Sequence, residues 1–130
     1  MRRNAITSFR DLEVWQEAIA LVLECYRLTE NFPSSERYGL TAQLRRCATS
    51  IPVNIAEGHG RKKPKPYLNH VLIALGSEAE LATHIHVALE LKLCSESDVI
   101  QVSKTREHVG RMLSALAESL ERRIAANDDQ

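Results

Sequence analysis

The sequence is poor in helix breakers: five glycines and four prolines occur in 130 residues, which favours long uninterrupted helices. Cysteine is scarce and odd in number. Cys25, Cys47 and Cys94 form no C-x-x-C pair, which argues against a disulfide framework or a zinc knuckle and leaves them as small core residues in a reducing compartment. No run of about 18 apolar residues occurs, and Met1-Arg2-Arg3-Asn4 leads into no apolar segment of a secretory signal. No membrane association is therefore expected, and the cytoplasm is the expected compartment. An excess of one charge sign is missing too. Lys and Arg number 17, as do Asp and Glu, for a formal net charge of zero. That balance excludes a globally basic nucleic-acid coat or an acidic tail protein, but not local patches.

Catalytic signatures are absent as well. No H-E-x-x-H, G-x-S-x-G or G-x-x-x-x-G-K-[ST] occurs. The glycine pair in Glu57-Gly58-His59-Gly60-Arg61 follows no strand, so it is not a dinucleotide fingerprint. Glu-x-x-His pairs, the mark of a di-iron bundle, are missing: Tyr67, Leu81, Thr83 and Thr105 stand three residues before His70, His84, His86 and His108. His84 and His86 are two apart and fall on different helix faces. His86 is expected on a core-facing seam, His70 and His108 at the surface, and His59 alone between two glycines. No metal, no cofactor and no enzymatic activity are expected.

What is present is helical periodicity. One domain is expected over 1–130, an all-α antiparallel up-down-up-down four-helix bundle with helices near 10–31, 35–59, 66–93 and 97–126. Ser8-Phe9-Arg10-Asp11 reads as a capping-box start and Phe32-Pro33 as a stop. Pro52 lies inside the second helix and should kink it rather than end it. Ser95-Glu96-Ser97-Asp98 caps the fourth helix.

Two adjacent apolar seams run along the first helix, Leu12, Trp15, Ile19, Val22 and Tyr26 beside Val14, Ala18, Leu21, Cys25 and Leu28. The third helix carries a seam of Leu68, Val71, Leu72, Leu75, Ala79, Ala82, Leu89 and Leu93, with Ile73, Val87 and Leu91 pointing the other way. So wide an apolar arc exceeds what one bundle hides. Copies are therefore expected to associate through Val14, Leu21, Leu28, Ile73, Val87 and Leu91.

Polar residues also recur at helical spacing. Gln43, Arg46, Ser50, Asn54 and Glu57 form a stripe on the second helix, and Gly76, Ser77 and Glu80 a small-plus-acidic patch on the third. The structural reading joins Arg46, Asn54, Glu57 and Glu80 in a network that fixes register. A solvent-open site around Asn54, Glu57 and Glu80 is the alternative. Charge is segregated along the chain: residues 36–65 hold seven Lys and Arg against two acids, whereas 66–98 hold one Lys against five. Up-down-up-down topology places Arg61, Lys62, Lys63 and Lys65 at the same end as Arg2, Arg3, Arg122 and Arg123. That basic pole suits phosphate backbones or acidic proteins.

Phe9-Arg10-Asp11-Leu12-Glu13-Val14-Trp15, then Phe32-Pro33 with Glu36, then Tyr38-Gly39-Leu40-Thr41-Ala42-Gln43-Leu44-Arg45-Arg46 resemble the family named for the protein encoded in 23S rRNA intervening sequences, also called the S23 ribosomal protein family. Ser50-Ile51-Pro52-Val53-Asn54-Ile55-Ala56-Glu57-Gly58 is the most specific stretch, and Ala74-Leu75-Gly76-Ser77 with Glu80-Leu81 completes it. The resemblance covers residues 9 to about 94. It departs at Cys47, where the family usually has alanine. It implies a bacterial four-helix bundle assembled as a homopentamer, similar in fold to the accessory variability proteins of diversity-generating retroelements, which bind a reverse transcriptase and nucleic acid. It carries over no catalytic residue, and the ribosomal name implies no place in the ribosome. Two partner classes are expected beyond a second copy of the chain: RNA or DNA backbones at the basic pole, or, as the alternative, a protein docked on helical faces.

Overall fold

In the structure, a computed structural model describing residues 6–128, four helices span Glu13–Thr29 (α1), Leu40–Arg61 (α2), Pro64–Glu90 (α3) and Ile100–Asp128 (α4). Single 3-10 turns over Phe9–Asp11, Ser34–Glu36 and Ser97–Val99 precede α1, α2 and α4. Neighbours pack in the cyclic order α1–α2–α3–α4–α1, with α2 and α3 the most extensive pair. The described residues are otherwise turns, bends and irregular chain, with no strand. No helix is long and apolar enough to cross a membrane.

Local chemistry sets the helix boundaries. The Ser8 hydroxyl accepts from the Arg10 N–H at 3.2 Å while the Asp11 carboxylate accepts from the Ser8 N–H at 3.1 Å, closing the expected capping box. The Thr7 N–H and, after it, the Ser8 N–H hold the Asp11 carboxyl below its ordinary range. At α4 the Asp98 carboxylate takes the Ser95 N–H at 2.9 Å and the Ser95 hydroxyl takes the Asp98 N–H at 3.3 Å. The helix α3 begins two residues earlier than the spacing suggested because Pro64 occupies its first turn, where a missing N–H costs nothing. It ends three residues earlier because Lys92 turns left-handed (φ 61°). The Lys92 N–H then reaches the Leu89 carbonyl at 3.0 Å and the Leu93 N–H the Ala88 carbonyl at 2.9 Å, a Schellman closure. The helix α2 continues through Pro52, whose ring is buried.

The core is built from Val14, Ala18, Leu21 and Cys25 of α1, Leu44, Ile51 and Ile55 of α2, Val71, Leu81 and Ile85 of α3, and Val109, Leu113 and Leu120 of α4. This corrects two expectations. Val14 and Leu21 lie inside the subunit and cannot meet a second copy; Leu28 is partly buried against the same core. On α3 the buried row is Tyr67, Val71, Ala74, Ser77, Leu81, Ile85 and Ala88, so Leu72 and Ala79 face solvent. A helix apolar on several sides gives no hydrophobic signal for its inward direction. Small side chains decide it here, because Ala74, Ser77 and Ala88 let α2 and α4 approach. His86 likewise moves from the expected seam to the surface, 3.4 Å from Glu90.

Two of the three thiols, Cys25 and Cys47, are core residues, whereas Cys94 is half-buried at the edge of the core. Burial pushes Cys25 up to about 12 and Cys47 up to about 11. Across the α3–α4 contact, Arg106 pairs with Glu78, both side chains less than one-fifth exposed at 18% and 16%. A hydroxyl bridge joins α1 to α4, the Thr105 Oγ1 donating to Glu24 Oε1 at 3.0 Å.

Where α2 meets α3, Gly58 is buried, and a Cβ there would stand 2.8 Å from both the Tyr67 ring and the His70 Cβ. Gly58→Ala is therefore expected to cost about 1–3 kcal/mol of stability in chemical denaturation. Removing either partner of the mostly buried ion pair, by Glu78→Gln or Arg106→Met, is expected to cost about 2 kcal/mol. The double variant should lose clearly less than the sum, a coupling that a denaturation double-mutant cycle measures.

Candidate nucleic-acid interface

The basic end is assembled by the tight link between α2 and α3. Arg61 closes α2, and Lys62, Lys63 and Lys65 follow within four residues, all exposed. Lys62 is left-handed (φ 62°), with its N–H on the His59 carbonyl at 3.3 Å. That conformation favours glycine, and a side chain there costs roughly 1 kcal/mol. The last turns of α4 pack beside this link: Lys63, Pro64, Lys65 and Pro66 share a cleft of about 420 Å³ with Ile124 and Asn127. Arg122 and Arg123 are exposed on the same turns. The positive charge of Arg123 reaches the Tyr67 phenol, where it opposes the upward push of burial. Six cations thus stand around one end, beside the positive end of the α3 dipole. Arg2 and Arg3 lie outside the described residues.

Between α2 and α3 runs a polar seam. Asn54 Nδ2 donates to the Ser50 carbonyl at 2.9 Å and to Ser50 Oγ at 3.1 Å, and the Ser50 and Ser77 hydroxyls share a hydrogen bond at 2.8 Å. On its other side Asn54 Oδ1 lies 3.0 Å from His70 Nδ1, so that nitrogen carries the proton. Glu57 stands at the rim, 3.7 Å from the same nitrogen. Asn54 and Glu57 therefore meet in this seam, whereas Arg46 and Glu80 are exposed and outside it. Both remain close enough to act on the Cys47 thiol by charge, Glu80 raising it and Arg46 lowering it, but neither hydrogen-bonds into the seam. The members that sequence reasoning missed as partners are Ser50, Ser77 and His70, the last with a side chain only 15% exposed. A usable signal was there: small polar residues at i and i+4 beside Gly58 mark a close helix contact.

The seam has the residue types of a hydrolase but not the geometry. The Asn54 amide separates the Ser50 hydroxyl from His70, so no base reaches a nucleophile. His59 stacks edge-on against Tyr67, with ring centroids 5.9 Å apart. Among the described residues no three His, Cys, Asp or Glu side chains converge as metal ligands would.

Comparison with known proteins bears on the fold. No curated protein matches the chain. A crystal structure of a protein of unknown function from the S23 ribosomal protein family of Bacteroides thetaiotaomicron superposes with a TM-score of 0.72, at 16% identity, over 80% of this chain and 97% of that one. At that identity the likeness speaks for the shared bundle alone. The sequence profile described as 23S rRNA-intervening sequence protein matches residues 10–115, which takes in α1, α2, α3 and more than half of α4. The chain belongs to the 23S rRNA-intervening sequence protein family.

Proposed function

We propose that this protein is a non-catalytic, homo-oligomeric nucleic-acid-binding bundle that grips phosphate backbones with its basic end. The observation that carries the reading is Lys62. A cation occupies a backbone position that glycine would fill at lower free energy, in a link that also exposes Arg61, Lys63 and Lys65. Lys92 shares that backbone conformation, so what distinguishes position 62 is its company, four exposed cations within five residues of one short link.

Self-association follows from apolar surface that the bundle leaves in water. Ile73, Val87 and Leu91 of α3 remain exposed, Ile73 by 52%. They lie along one side of the helix with Gly76, Glu80 and Thr83 between them, in steps of three and four residues, so the stripe is apolar at both ends and carries one exposed carboxylate at its middle. A closed ring, five-fold as the family resemblance implies, would cover this stripe and repeat the basic link once per subunit. Contacts that are weak singly then add through effective concentration. The same stripe supports a second reading, a scaffold that docks another polypeptide and holds no nucleic acid.

Sedimentation of the purified protein is expected to give a particle several times the 14.6 kDa chain. Ile73→Lys and Val87→Lys together should reduce it to a folded monomer, since both positions are solvent-facing in the subunit. An unchanged particle would move the interface elsewhere. Replacing Arg61, Lys62, Lys63 and Lys65 by Ser or Gln should abolish RNA retention at low salt with circular dichroism unchanged. In a titration of affinity against salt, the logarithmic slope should fall by about three per subunit. Undiminished retention refutes the basic end as the contact.

A further inference from the structure

A second surface combines cations with aromatic faces, away from the basic end. Tyr26 and Arg45, with Arg37, Tyr38, Arg46 and Thr49, line a groove of about 450 Å³ between the end of α1 and the start of α2. We propose that this groove binds single-stranded nucleic acid, stacking unpaired bases on Tyr38 and Tyr26 while the three arginines hold the adjoining phosphates.

Packing accounts for Tyr26 only in part and for Tyr38 not at all. Tyr38 is 87% exposed, in the short connection before α2, and its ring meets only the Arg37 guanidinium, 5.6 Å from the centroid. An aromatic side chain left almost wholly in water adds nothing to a core. Tyr26 is 40% exposed although it continues a seam that packs inward higher up α1. The Arg45 guanidinium lies over its ring at 4.4 Å, a cation–π stack.

That stack is anchored. Arg45 Nε donates to Thr29 Oγ1 at 2.8 Å, and the Thr29 hydroxyl donates to the Cys25 carbonyl at 2.8 Å inside α1. Only Nε is committed, so the terminal nitrogens of Arg45 keep their donors, and the Arg46 guanidinium has no hydrogen bond or ion pair among the described residues. No carboxylate lines the groove. The nearest in sequence, Glu36, is turned to the start of α2, its Oε1 accepting from the Leu40 N–H at 3.1 Å.

Alternating π-faces and cations without carboxylates are what an unpaired strand requires. Each base presents a face to stack, and each phosphate a charge to neutralise. A duplex hides its bases and cannot use the tyrosines. The groove is also a separate place from the basic end: Arg46 and Arg61 are fifteen residues apart on α2, roughly 22 Å along its axis.

The test compares a fluorescein-labelled oligouridylate with an RNA duplex of equal length, by anisotropy at several salt concentrations. Tyr38→Ala, which removes no packing, is expected to weaken single-strand binding roughly tenfold or more and leave duplex binding unchanged. Tyr38→Phe should bind as the wild type does. Arg46→Gln should lower the single-strand salt slope by about 0.7. The variant lacking the cations of the 61–65 link separates the two sites: it should lose duplex affinity, and the effect of Tyr38→Ala should persist within it. Single-strand affinity unchanged in Tyr38→Ala overturns the stacking site, whatever the link variant does. So does equal binding of strand and duplex by the link variant, or retention of a polypeptide through Tyr38 by a protein that holds no oligonucleotide.

Discussion

The architecture depends on how closely α2 and α3 approach. Gly58 leaves no room for a Cβ against Tyr67 and His70, and farther along the pair Ser77, with Ala74 one turn before it, is turned inward, Ser77 against Ser50. At that distance the buried polar groups can be satisfied only by short side chains. Ser50, Ser77 and Asn54 satisfy one another, and His70 extends the chain toward solvent. A slip of one residue along α3 would orphan each of these donors. The seam therefore fixes the register of the central helix pair, and α1 and α4 pack against a pair whose alignment is already set.

The sequence was most legible where local chemistry is strongest. Ser8 with Asp11 and Ser95 with Asp98 mark helix starts through reciprocal hydrogen bonds that need no tertiary context. The four helices follow from sustained apolar spacing. Lys92 was illegible as a helix end because lysine carries no left-handed preference; the surrounding packing imposes it. The inward direction of α3 was misread for a different reason. Leucine outweighs alanine and serine in any hydrophobic pattern, yet a close helix contact selects the small residues and sends Leu72 outward.

The same physics limited the reading of sites. Arg46 and Glu80 look like network partners by spacing, but both are exposed and neither hydrogen-bonds into the seam. The cations of the 61–65 link were legible, since a two-residue connection between long helices has nowhere to hide charge. The Tyr26–Arg45 stack was not legible, because it joins two helices at residues nineteen apart in sequence. Nor does a tyrosine in a connecting segment announce whether it packs or projects.

Lys62 sets folding and charge against each other at one position. The left-handed backbone there favours glycine, so evolution in the laboratory for heat tolerance alone would drift toward a smaller, uncharged residue at 62. Selection that also retained the partner of the basic end would hold the lysine in place. Position 62 would thus record whether robustness or contact had been the selected trait.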